Sequence, residues 1–121
     1  MRFIFLVFIV ITYYTITFPQ ESQNKLQTPV CIEGDCISGK GKMLYPDSTI
    51  YEGNFYEKQR WGSGKMIYSD SIIYIGNWCR NFKDGRGILY YPNGDVFIGT
   101  FSNDEIIKGI LTTKDGKKIH Y

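Results

Sequence analysis

The sequence predicts an all-β fold, a single-layer antiparallel sheet of stacked β-hairpins, preceded by an apolar N-terminal helix. Three observations carry that prediction. Aromatic residues make up 17% of the chain and glycine contributes 13 residues, a composition of strands and turns. From Gly39 onward the sequence copies itself every 23 residues, a period that marks an array of small structural units. The first 18 residues carry one charge, Arg2, in an otherwise uncharged and largely apolar run.

At 121 residues the chain is sized for one domain. Its start, MRFIFLVFIVITYYTITF, has the basic residue and apolar run of a secretory signal peptide. As a helix, Phe3 to Phe18 would span roughly 24 Å, short of the ~30 Å hydrocarbon core, which favours a signal peptide over a full anchor. No Ala-x-Ala cleavage site follows, so residues 1–18 stand as a signal peptide or an uncleaved signal anchor. Either reading predicts an exported protein (secreted, periplasmic or otherwise extracytoplasmic) or one tethered to the membrane by this segment. Residues 19–38 are polar, contain two prolines and read as a linker. Within it, Cys31 and Cys36 bracket IEGD. A disulfide there would cap the array, with Gly34 permitting the turn; two reduced cysteines packed as small apolar residues are the other reading. Cys79 is left over, as a free thiol or an intermolecular partner.

The repeat domain spans 39–121, with units at about 39–61, 62–84 and 85–107 and a partial unit at 108–121. Their first parts align as GKGKMLYPDSTIYEGNF, GSGKMIYSDSIIYIGNW and GRGILYYPNGDVFIGTF. Each reads as a hairpin, with strands at about 41–46 and 49–56 in the first unit. The turns are YPDST, YSDSI, YPNGD and TKDGK. Asn93-Gly94 and Asp115-Gly116 predict two-residue turns, because both residues of each pair tolerate positive φ. Asp47-Ser48 and Asp70-Ser71 keep the same register. The rest of each unit, up to Trp61 in the first, reads as a connector. Gly62 and Gly64 then let the chain turn and let a ring pack close, and the pairs Gly39/Gly41 and Gly85/Gly87 line up with them.

Alternation in the second strand of each hairpin assigns two faces. Tyr51, Gly53 and Phe55 share one, as do Tyr74, Gly76 and Trp78, then Phe97, Gly99 and Phe101. A glycine between two rings leaves a gap that a neighbouring ring can cover, which offsets the poor β propensity of glycine. Rings of one unit are therefore expected to cap glycines of the next. The opposite face has Glu52 in the first unit but Ile75 and Ile98 at its counterparts. Together with Ile73 and Val96 these form an apolar stripe suited to a protein partner or a second copy.

The pattern Tyr-x-Gly-x-Phe/Trp, six residues, then Gly-x-Gly appears as YEGNFYEKQRWGSG from Tyr51 and YIGNWCRNFKDGRG from Tyr74. FIGTF at 97–101 keeps the first half, and Ile107-Lys108-Gly109 stands where Gly-x-Gly would follow. At a 23-residue period this resembles the MORN (membrane occupation and recognition nexus) repeat, over residues 39–121. The resemblance implies an elongated, curved single-sheet array of hairpins. It also implies a part in protein interaction, scaffolding or membrane association, with no catalysis of its own.

Other chemistries find no support in the residues. Gly62-Ser63-Gly64-Lys65 looks like part of a phosphate loop, but the loop's first glycine would fall at Gln59, and Met66 supplies no hydroxyl for Mg²⁺. Cys31, Cys36, Cys79 and His120 lack the close pair that anchors a zinc site. His120 is the only histidine, and no serine sits in a nucleophile elbow. Asp47, Asp70 and Asp115 occupy turns, where carboxylates cap backbone amides. A net charge of +2 with interspersed signs argues against nucleic acid. No cofactor, metal or small-molecule substrate is indicated. Lys114, Lys117 and Lys118 would charge the last edge and discourage end-to-end pairing. The expectation is a non-catalytic interaction or scaffold module, with a protein partner or self-association. A lipid-associating protein at the membrane surface is the alternative, and an enzyme accessory a third.

Overall fold

The computed structural model describes residues 27–121; the apolar segment 1–18 and the first part of the linker lie outside the described residues. Nine strands form one antiparallel sheet in chain order. They are β1 (Val30–Gly34), β2 (Lys40–Leu44), β3 (Ile50–Tyr56), β4 (Gln59–Ile67), β5 (Ile73–Cys79), β6 (Phe82–Tyr90), β7 (Val96–Ser102), β8 (Glu105–Thr112) and β9 (Lys118–His120). Among the described residues all regular structure is strand. Val30–Gly34, read from the sequence as linker, pairs with β2 and adds a strand ahead of the first unit.

The hairpin turns alternate between two kinds, and the structure corrects the sequence reading of both. At Tyr45–Thr49, Tyr45 N donates to Thr49 O at 2.9 Å and Ser48 N to Tyr45 O at 3.0 Å. Positive φ falls on one residue of each such loop: Ser48 and Ser71 at 70°, Gly94 at 93° and Gly116 at 91°. Asn93 and Asp115 do not take it, so these are longer loops with one left-handed residue, not two-residue turns. Aspartates hold them locally, with Asp47 Oδ1 accepting from Thr49 N at 2.9 Å and Asp70 Oδ1 from Ile72 N at 3.1 Å.

The two-residue turns fall instead in the stretches read as connectors. Glu57-Lys58, Arg80-Asn81 and Asn103-Asp104 have φ values of 48° and 63°, 49° and 70°, and 47° and 69°. Without glycine, each left-handed residue costs roughly 1 kcal/mol or more. Bonds to the preceding unit offset that cost. Lys58 N donates to Ile37 O at 2.9 Å, Asn81 N to Arg60 O at 3.2 Å and Asp104 N to Lys83 O at 3.0 Å. In return Asn81 Oδ1 accepts from Arg60 N at 2.9 Å, and Asp104 Oδ1 from Lys83 N at 2.7 Å. The connectors are thus tight hairpins stapled backward, the sheet is a continuous meander, and Trp61 lies within β4.

The Gly-x-Gly pairs do two different jobs. Between β3 and β4 the register jumps from Gly53↔Gly64 to Phe55↔Arg60, so Trp61, Gly62 and Ser63 face Asn54 alone. This bulge puts Gly62 at φ 70°, and its copy between β5 and β6 puts Gly85 at 98°. The second glycines, Gly64 and Gly87, remain in the ladder, opposite Gly53 and Gly76. Between β7 and β8 the jump is one residue shorter, from Thr100↔Lys108 to Phe101↔Ile106. No left-handed glycine is needed there, which is why Ile107 stands in its place and the last unit runs short.

The core lies on one face only. Tyr51, Tyr74 and Phe97 are fully buried, with Met43, Met66, Leu89 and Leu111 paired across the strands between them. The rings form an unbroken edge-to-face chain, Phe55–Tyr51–Trp78–Tyr74–Phe101–Phe97–Tyr121, with centroids 5.0, 5.4, 5.1, 5.3, 5.6 and 6.0 Å apart. Beside it runs a cross-strand row of glycines, Gly41, Gly53, Gly64, Gly76, Gly87, Gly99 and Gly109. Each central ring lies over the glycine two residues on and over that glycine's partner in the next strand.

Candidate interaction surface

A single-layer sheet has two faces, and here they are unlike. The ring face is closed by its own side chains. Arg60 stacks its guanidinium 4.9 Å from the Trp78 ring, donates to Tyr45 Oη at 2.6 Å and donates to Asn81 O at 2.6 Å. Its Nε is buried with no hydrogen-bond partner. One unit on, Lys83 takes the same place, with Nζ 5.7 Å from the Tyr74 ring and 3.3 Å from Tyr68 Oη. Beneath these cations the tyrosine hydroxyls point inward, Tyr51 donating to Asn54 O at 2.9 Å and Tyr74 to Asn77 O at 3.0 Å. Burial raises both pKa values: Tyr74 is pushed up to about 12, and Tyr51 goes higher still although the Arg60 charge pulls it down. All the repeat-defining rings and glycines from 51 to 101 are therefore used in holding the sheet together.

The opposite face has no covering layer among the described residues. Ile73, Ile75, Val96 and Ile98 point to it, away from Tyr74 and Phe97. The structure joins them into two longer rows. Ile75, Ile88, Ile98 and Ile110 are successive cross-strand partners. So are Leu44, Ile50, Ile67, Ile73, Tyr90 and Val96. Ile75 and Ile98 keep 43% and 59% of their surface exposed. Sequence reasoning reached the residues on β5 and β7. It missed Ile67, Ile88 and Ile110, whose face depends on the bulges that reset β4, β6 and β8.

Toward β2 the same face changes character. The row that ends in isoleucines begins as Glu33, Lys42, Glu52 and Lys65, with alternating charge. Lys42 Nζ lies 4.0 Å from Glu52 Oε2, an exposed pair of little weight for stability. Next to this row a groove of about 540 Å³ opens over the glycine backbone, bordered by Glu33, Lys40, Lys42, Glu52, Asn54, Ser63, Ile75, Asn77 and Arg86.

At the N-terminal end the structure joins Cys31 and Cys36 in a disulfide. Cys36 is buried against Gly41, the position a ring holds over the later glycines, while every side chain of β1 is exposed. Cys79 has no disulfide partner. Asp35 and Asp115 have lowered pKa values, the first through bonds from the Ile37 and Ser38 amides and the second chiefly through the Thr113 hydroxyl; both are turn carboxylates. Among the described residues no three His, Cys, Asp or Glu side chains converge as metal ligands.

The family model for the MORN repeat matches residues 37–50, 51–72 and 74–96, three consecutive segments in the register of the 23-residue period. Two of them open on Tyr51 and Tyr74, the buried rings of β3 and β5. No curated protein matches the chain significantly.

Proposed function

The chain is a MORN-repeat protein, and from that premise we propose that it is a non-catalytic interaction module whose uncovered face docks a protein. MORN repeats are in general modules for protein or membrane interaction and are generally non-catalytic. The observation that carries the reading is the pair of cross-strand aliphatic rows, left open on a sheet whose other face already holds the core. Cross-strand pairing gives these side chains some stabilising contact in the monomer, and the exposed remainder of so continuous an apolar patch is suited to burial by a partner. An elongated, curved shape belongs to the same reading, supported by the bulges at Gly62 and Gly85, since a bulge bends the strand that carries it. So does export or membrane tethering through residues 1–18, supported by their basic start and apolar run.

The test is the full chain against its Ile75→Lys/Ile98→Lys variant, by affinity capture from the native source and by mass in solution. The account expects wild type to hold a stoichiometric protein partner or a second copy, and the variant to lose it with unchanged circular dichroism. Identical complexes for both would refute docking on this face.

A further inference from the structure

The groove beside the aliphatic rows has a chemistry of its own. Its far wall is one cross-strand row on the open face. Lys40 pairs with Asn54, Asn54 Nδ2 donates to Ser63 Oγ at 3.1 Å, and Ser63 pairs with Asn77. Arg86 closes this wall, and beyond the groove its row runs on to Thr100 and Lys108. Within the groove this wall thus holds two cations, Lys40 and Arg86, and three neutral hydrogen-bonding side chains, and no acid. The near wall starts at Glu33, continues with the offset charges of Lys42 and Glu52 and becomes aliphatic at Ile75, so the acids of the groove all lie on this side. Between the walls lies the glycine backbone, so nothing fills the floor. The channel runs across the strands, along the array.

From this we propose that the groove binds one extended, acidic and aliphatic peptide segment of a partner protein, its acids against Lys40 and Arg86 of the far wall and its apolar side chains toward Ile75. The proposal rests on the docking reading above and names the partner's chemistry. Charge complementarity selects acids, and a channel between two rows admits a single chain where a flat bilayer would meet only the rims. Strand spacing sets the ligand's register. Lys40 and Arg86 are four strands apart, roughly 19 Å. An extended chain advances about 3.3 Å per residue, so its second acid falls about six residues after the first.

Fluorescence anisotropy with the full chain tests this directly. The probe is a labelled valine/serine peptide with glutamates at that spacing; the controls are its glutamine version and anionic phosphatidylserine vesicles. Salt-sensitive binding of the glutamate peptide is expected, with the glutamine peptide and the Lys40→Glu/Arg86→Glu variant each weaker on the order of tenfold. Both substituted side chains are exposed, and the peptide comparison needs no variant at all. Equal binding of the two peptides, equal binding by the variant, or binding of vesicles without peptide would overturn the proposal. If Ile75→Lys/Ile98→Lys abolishes partner capture while Lys40→Glu/Arg86→Glu leaves it intact, the groove reading fails and the docking reading stands. If neither variant affects capture, both fail.

Discussion

A methyl group on Gly64 would have to occupy the space of the Tyr51 side chain: the ideal Cβ falls 2.5 Å from the ring atoms Cε2 and Cζ and closer still to the hydroxyl. Tyr74 has the same relationship to Gly87, and Phe97 to Gly109. Each ring belongs to one unit and the glycine it covers to the next, so the contact couples repeats. Gly64→Ala is expected to cost roughly 2–3 kcal/mol, because the ring is fixed by the Asn54 carbonyl and by Phe55 and Trp78 on its edges. Gly116→Ala has nothing within 4 Å and should cost only the left-handed backbone, roughly 1 kcal/mol. Urea denaturation of the two variants separates crowding from backbone strain.

The buried tyrosines predict alkaline sensitivity. An unfolded tyrosine titrates near pH ~10, and burial holds Tyr74 at about 12 in the fold. The folded state therefore keeps its proton where the unfolded state has lost it. The stability this provides is fully present below pH ~10 and is lost as pH rises through about 12. Wild type should lose on the order of 2 kcal/mol through Tyr74 over that window, and Tyr74→Phe should show a shallower decline in the same pH series.

The Arg60 guanidinium makes two hydrogen bonds and stacks on Trp78. Arg60→Ala should cost roughly 2 kcal/mol and leave Asn81 O short of a donor. Arg60→Lys should lose about half as much, because Lys83 fills the same place one unit later. Guanidinium denaturation of the pair gives both numbers.

The disulfide closes a short loop between an exposed strand and the first glycine of the row. Opening it should lower stability by about 2 kcal/mol, the entropy of a loop of that size. A Cys31→Ala/Cys36→Ala variant should match reduced wild type in thermal melting and be insensitive to reductant. A variant as stable as oxidised wild type would mean that pairing with β2 alone secures β1.

Much of this architecture was legible in the sequence because it is periodic. The alternation of Tyr51, Gly53 and Phe55 and its copies marks the ring face, and the turn loops carry Asp, Asn and Gly at fixed offsets. The two-residue turns were hidden for a physical reason. Their left-handed residues are held by bonds to Arg60 and Lys83 in the preceding unit, about 21 residues away, and local turn chemistry records none of that. β1 was hidden because all its side chains are exposed and no apolar alternation marks it. On the open face, Ile73, Ile75, Val96 and Ile98 could be read from alternation alone. Ile88 and Ile110 could not, because a bulge precedes each of them. The wall of Lys40, Asn54, Asn77 and Arg86 reads in sequence as ordinary solvated polar residues and becomes a row only through the register.

The central claim is that a protein seats on the uncovered aliphatic face. Photo-crosslinking tests it most directly, with a benzophenone side chain in place of Ile98, which is 59% exposed, and the full chain produced in its native host. The account predicts one discrete protein adduct from position 98 and none from the same probe in place of Lys114, in a distal turn loop. No protein adduct at position 98, or adducts with lipid alone, would contradict it.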